Sequence, residues 1–216
     1  MSKPLTLADA ARTFRKSPTP WMIGTMLLAA AAARIAVGNW QITDALVPLV
    51  MLAAFPFAEW IIHVFVLHWK PRTIAGVTLD SRLARSHREH HFAPRTVSLI
   101  FIPWQTLLIV IPVLTAVALL AFPRVELGLT FLTCISVLGL GYEWTHFLIH
   151  SDYKPKTALY RSVWRNHRNH HFKNEHYWFT VTTAGTADRV LGTYPDPKSV
   201  ETSPTAKNLH GAASKL

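Results

Sequence analysis

Cysteine is almost missing from this sequence. Cys134 stands alone, and one thiol excludes an internal disulfide framework. It lies in an apolar run and reads as a small packing residue. Charge is scarce too. Charged residues are 16% of the 216-residue chain, half the residues are apolar, and the apolar ones come in long blocks. That pattern points to a membrane protein before any motif is read. Acids are the rarer sign, 12 against 22 Lys and Arg, which leaves a net charge of +10. The basic residues form no stripe on a soluble domain, so nucleic acid is not an expected partner. They flank the apolar blocks, where they suit anionic lipid headgroups. A cleavable signal peptide is not expected either, because the first apolar run is long and no convincing cleavage site follows it. The length suits one domain.

Residues 1–20 are polar and basic and read as a cytoplasmic amphipathic lead-in. Four membrane spans are expected at about 21–38, 45–67, 97–122 and 127–149, within an integral-membrane domain of residues 21–194. Arg34, near the end of the first span, reads as a snorkelling side chain. Pro48 and Pro56 predict kinks in the second. Residues 195–216 are rich in Pro, Ser, Thr and Lys and read as a flexible tail, and deleting residues 200–216 is expected to matter little. His210 within it has no expected role. With four spans, residues 1–20, residues 69–96 and the C-terminal third share one side, and they hold nearly all the Lys and Arg. The positive-inside rule makes that side cytoplasmic. A bacterial inner membrane and an endoplasmic reticulum both fit.

An internal repeat dominates the rest. Arg85-Ser-His-Arg-Glu-His-His-Phe92 recurs as Arg165-Asn-His-Arg-Asn-His-His-Phe172. Upstream of the first copy are Glu59-Trp, His63 and His68; upstream of the second are Glu143-Trp, His146 and His150. Ten of the 12 histidines fall in these groups: His63, His68, His87, His90, His91, His146, His150, His167, His170 and His171. On a helix, i, i+3 and i+4 share a face, so each His-x-x-His-His box is expected to turn three imidazoles to one patch. Converging imidazoles suit iron, zinc, copper or nickel. One ion uses three or four, so ten suit two ions. His63 and His68, at i and i+5, share a face only loosely; they serve different ions or sit on a distorted turn. Metal-bound imidazoles usually need an acceptor on the other ring nitrogen. Glu59, Glu143 and Asp188 are the favoured acceptors, with Asp152 a further candidate. His176, just past the last box, is an extra ligand, a substrate-side polar group or a surface residue.

The set His63-x4-His68, His87-x-x-His90-His91, His146-x3-His150 and His167-x-x-His170-His171 resembles the fatty acid hydroxylase/sterol desaturase superfamily. Its fatty acid 2-hydroxylase branch is the most similar, and the ending Trp178…Asp188-Arg189…Gly192-Thr193 is similar to that branch too. The resemblance covers residues 55–194, and its motifs are specific as a set rather than singly. It implies an all-α fold, a four-helix transmembrane bundle with a cytoplasmic histidine-rich helical cap holding a di-metal site. It further implies an oxidoreductase, a lipid hydroxylase with two Fe ions and O2 as co-substrate, acting on a lipid in the bilayer. The eukaryotic 2-hydroxylases often carry a cytochrome b5 domain. This chain has no room for one, so an external donor, cytochrome b5-like or ferredoxin-like, is expected. Zinc also suits imidazole and is the rival ion in a purified preparation, but it has no redox chemistry. The competing readings are a lipid desaturase or sterol/carotenoid oxidase on the same site, and a non-catalytic histidine-rich metal-binding membrane protein. A transporter places its polar ligands near the bilayer midplane, whereas these histidines gather at helix ends.

Overall fold

The computed structural model describes residues 5–210. It is all-α apart from one small hairpin, with four helices long and apolar enough to cross a membrane. A capping box between Thr6 and Asp9 opens the short helix α1 (Leu7–Phe14). Ser17 and Pro18 then start α2 (Pro18–Val37), where proline's fixed φ suits a first turn. A 3-10 turn at Ile42–Ala45 leads into α3 (Leu46–Ile62), which continues as a π turn over His63–Leu67. The third span is broken: α5 (Val97–Ile100) ends at Phe101–Pro103, and α6 (Trp104–Leu120) resumes. α7 (Val125–His150) is uninterrupted and packs against α2, α3 and α6. Leu28, Leu49, Leu52, Ile109 and Leu120 stay exposed around this bundle, an apolar coat that lipid can cover.

The cap follows from the helix ends on one side. α4 (Arg82–Phe92) and α8 (Ala158–Phe172) carry the two boxes, and α9 (Thr186–Val190) closes the loop after α8. Ahead of α4 stands a hairpin that hydropathy did not reveal. Strand β1 (Arg72–Ile74) pairs antiparallel with β2 (Val77–Leu79), with Thr73 opposite Thr78. Ala75 and Gly76 both have positive φ, which a two-residue hairpin turn of this twist requires. Arg88 then fastens α4 to this hairpin. It holds both Asp80 carboxylate oxygens, at 2.8 and 2.7 Å, and donates to the Trp69 carbonyl at 3.1 Å.

Two sequence expectations are corrected here. Arg34 does not snorkel. It is 3% exposed, donates to Thr130 Oγ1 at 3.0 Å and pairs with Asp44 at 2.6 Å. Arg124 holds the other Asp44 oxygen. Buried among partners, the guanidinium needs no route to water. Nor are residues 195–210 a free tail. Ala206 and Leu209 are 3% and 2% exposed, packed on the cap, and Ser203 N–H donates to the Lys173 carbonyl at 2.8 Å. Composition hid this, because few apolar residues suffice when a preformed surface receives them. The last six residues of the expected tail lie outside the described residues.

Gly128 lets α7 approach α6. A Cβ there would come within 1.9 Å of the Ala118 carbonyl oxygen, which is backbone and cannot swing away. Gly128→Ala gains roughly 1 kcal/mol of helix propensity but forces apart a close crossing, at about 1–3 kcal/mol. The variant is expected to melt several degrees below wild type in detergent, checked by thermal-shift size-exclusion.

Candidate metal centre

The ten histidines come together at the cap end of the bundle, but not box by box. His63, His68, His87, His91 and His170 form one group; His90, His146, His150, His167 and His171 form the other. Within each group the nearest ligand atoms lie within 4.8 Å of one another. Each box is split. Its first and last histidines join the pair from their own half, and its middle one crosses over. At about 100° per residue, i and i+4 differ by about 40°, while i+3 lies about 60° the other way. α4 and α8 therefore lie between the groups, and His91 and His171 stack at 4.0 Å across the boundary. The expectation of three imidazoles on one patch is corrected to two and one.

The π turn resolves the His63–His68 spacing. It inserts one residue into the helical repeat, and the His68 N–H bonds the His63 carbonyl five residues back at 3.0 Å. A distorted turn thus brings both rings into one group.

Ring geometry fits metal ligation. Two imidazole nitrogens about 2.1 Å from one ion, at a right or tetrahedral angle, lie about 3.0–3.4 Å apart. The Nε2 atoms of His87 and His91, of His68 and His170, and of His90 and His150 are each 3.2 Å apart, and those of His167 and His171 are 3.1 Å apart. Nine of the ten rings are buried, and His68 is half-buried. Burial, then the neighbouring imidazoles, holds His87, His167 and His171 well below the ordinary histidine pKa, and His91 is lowered likewise. The rings are therefore neutral, the form that offers a lone pair. Several ring nitrogens, including His63 Nε2 and His146 Nε2, are buried without a hydrogen-bond partner. Such orphans cost about 1–3 kcal/mol each unless something takes them up, and an ion would.

The acceptors behind three of the rings are carbonyls. His63 Nδ1 donates to Phe179 O at 2.6 Å, His170 Nδ1 to Tyr177 O at 2.8 Å and His91 Nδ1 to Ala206 O at 2.8 Å. Each bond leaves Nε2 unprotonated. The expected carboxylates act one layer further out. Asp188 is fully buried and accepts from Phe179 N–H at 2.8 Å, Thr180 N–H at 2.9 Å and Thr193 Oγ1 at 2.7 Å. Glu59 accepts from Thr182 N–H at 3.0 Å and Thr183 Oγ1 at 2.8 Å. Both therefore hold the 177–183 loop that supplies two of the carbonyls. A buried carboxylate needs several donors, and loop amides and hydroxyls offer more than one imidazole can. Trp178, with φ of +55°, is the bend that brings the carbonyls on either side of it to His170 and His63. Glu143 instead accepts from Ile102 N–H at 3.2 Å. Asp152 is exposed and faces Arg95 at 3.6 Å.

His176 is also exposed and sits 3.7 Å from Glu175, outside both groups. His210 does have a contact: its Nε2 lies 3.0 Å from the His68 carbonyl. The carbonyl partners were beyond sequence reasoning. Every residue has a carbonyl, and only the path of the loop selects Tyr177, Phe179 and Ala206.

The family model for fatty acid hydroxylase matches residues 48–193. A dihydroceramide fatty acyl 2-hydroxylase of Arabidopsis thaliana is 28% identical over 71% of this chain and 63% of its own length. A fatty acid 2-hydroxylase of Homo sapiens is 28% identical over 62% of this chain and 36% of its own. This chain thus spans less than two thirds of either relative. A solved structure of full-length Scs7p, in which only the hydroxylase domain is visible, superposes with a TM-score of 0.67 at 20% identity. It covers 86% of this chain and 68% of its own, which establishes the shared fold.

Proposed function

Because this chain belongs to the fatty acid hydroxylase family, we propose that it hydroxylates a lipid acyl chain at the membrane face, using two iron ions held by its ten clustered histidines. The observation that carries this reading is the pair of five-histidine groups, back to back at the ends of apolar helices. Iron there, with O2 and two electrons from a separate cytochrome b5-like or ferredoxin-like donor, would supply the oxidant that side chains lack for an unactivated C–H bond.

The chain's own residues set the conditions for that chemistry. His63, His68, His87, His91 and His170 would hold one ion; His90, His146, His150, His167 and His171 the other. The Tyr177, Phe179 and Ala206 carbonyls fix ring tautomers, and Asp188 and Glu59 fix the loop that carries the first two. Burial of the rings keeps bulk water from the reacting region. Because the histidines stand just past the helix ends, an acyl chain lying among the spans presents its head-proximal carbons to them. The names of the relatives specify position 2, and this level supports the same position here. The Lys and Arg content of the cap side supports a cytoplasmic orientation.

The test is lipid mass spectrometry of expressing cells under 18O2. Wild type should produce a lipid carrying one heavy oxygen, and His170→Ala/His171→Ala should not. An unlabelled product two hydrogens lighter would move the reaction to desaturation. Label persisting in the double variant would sink the shared-site model.

A further inference from the structure

A cavity of about 800 Å³ lies outside the histidine groups, where the start of α2 faces α4 and the α5–α6 break. Its rim is basic: Lys16, Arg82 and Arg85 line it, against a single carboxylate, Glu89. Arg85 is partly engaged by Asp80 at 3.5 Å. Lys16 and Arg82 have no carboxylate partner among the described residues. Beside the cations the lining turns apolar, with Phe101 and Trp104.

Two neighbouring spaces give this cavity a direction. One is a small space of about 30 Å³ that shares Ser86, Phe101, Ile102 and Pro103 as a wall with it and reaches His87 and His146, one from each histidine group. The shared wall is pinned from both sides. Ile102 N–H donates to Glu143, and its carbonyl accepts from Thr19 Oγ1 at 2.8 Å. The other is a groove of about 540 Å³ deeper along the same α2–α6 seam, lined by Met22, Met26, Ile111 and Thr115. The seam thus has cations at its membrane-surface end, a separate apolar groove further along, and, behind a shared wall near the charged end, a small space that reaches the histidines.

We infer that this seam selects a single-chain lipid by an anionic head, a carboxylate or a phosphate, seated on Lys16, Arg82 and Arg85 with its chain along the α2–α6 groove. An uncharged head would leave these cations without the charge-assisted contacts they can make. The inference names the substrate class for the proposed hydroxylase and rests on that reading for the chemistry; binding is measurable without turnover.

The test uses the iron-loaded full chain in zwitterionic nanodiscs, kept anaerobic so that nothing turns over. Three radiolabelled probes of one chain length are compared: palmitate, hexadecyl phosphate and the neutral palmitamide. At least one anionic probe should bind at least about tenfold more tightly than palmitamide. Preference for palmitate identifies a free acid, and preference for hexadecyl phosphate a phosphorylated lipid. Lys16→Gln/Arg82→Gln should erase the preference and leave palmitamide binding unchanged. Lys16→Arg/Arg82→Lys should keep it. Glu89→Gln should strengthen it, a change of sign that misfolding cannot imitate. Equal binding of palmitamide by wild type, or a preference that survives Lys16→Gln/Arg82→Gln, overturns the inference. Selective binding without any 18O incorporation would remove the hydroxylase reading alone; incorporation without selectivity would remove this one alone.

Discussion

His90→Ala/His171→Ala should leave one chelator-resistant ion per chain, while His90→Ala/His91→Ala should leave none. The first pair comes from different boxes but one group, so it strips two of five ligands from a single ion and spares the other. The second pair is adjacent in sequence but divided between groups, so both ions lose a ligand. Both variants should fall below about one per cent of wild-type activity, a larger loss than the 10–100-fold typical of an outer partner. Metal content during chelator challenge is the deciding readout. If the adjacent pair spares one ion and the separated pair spares none, the boxes act as units and the crossover is wrong. Membrane insertion should be unchanged in both, since the spans do not depend on these rings.

Removal of residues 203–216 should cost at least about tenfold in activity and loosen the ion of the His63 group. Four attachments go with that segment: the Ala206 carbonyl on His91, the Ser203 amide on Lys173, the Thr205 hydroxyl on Glu175 and the His210 ring on the His68 carbonyl. Without the first, His91 loses the acceptor that fixes its tautomer, an effect of about 10–100-fold for such partners. Composition alone leads to the opposite expectation, that this truncation is silent. Metal retention and hydroxylated-lipid yield, measured on equal amounts of membrane-inserted protein, separate the two. An unaffected truncation would show that the segment only rests on the cap.

What could be read from the sequence was what periodicity and residue type carry. The apolar blocks marked the membrane helices because a span needs some twenty apolar residues, and the doubled His-x-x-His-His boxes marked the cluster. A fixed helical period could not show the extra residue at His63–Leu67, so the His63–His68 pair stayed ambiguous. The division of each box depends on what stands on both sides of α4 and α8, which the 3.6-residue repeat does not state. The outer acceptors were assigned to Glu59, Glu143 and Asp188 because carboxylates are visible in a sequence. The structure gives three of the rings carbonyls and sets two of the acids to holding the loop. The tail was misread for a related reason: Ala206 and Leu209 are ordinary until a surface exists to receive them.

The crossover of the middle histidines also sets an order of assembly. His68 meets His170 across 102 positions and His90 meets His150 across 60. During synthesis the first half emerges with five histidines, but His90 then has none of its final neighbours, and the His63 group lacks His170. Neither ligand set is complete until α8 has been made and docked. Contacts of such separation form late, because closing the intervening chain costs entropy before any bond repays it. An ion taken up by the nascent first half would draw His90 in with His87 and His91, a set the finished fold divides. Metal loading therefore belongs after the last membrane helix is in place, and a cell short of free metal during synthesis loses nothing by waiting.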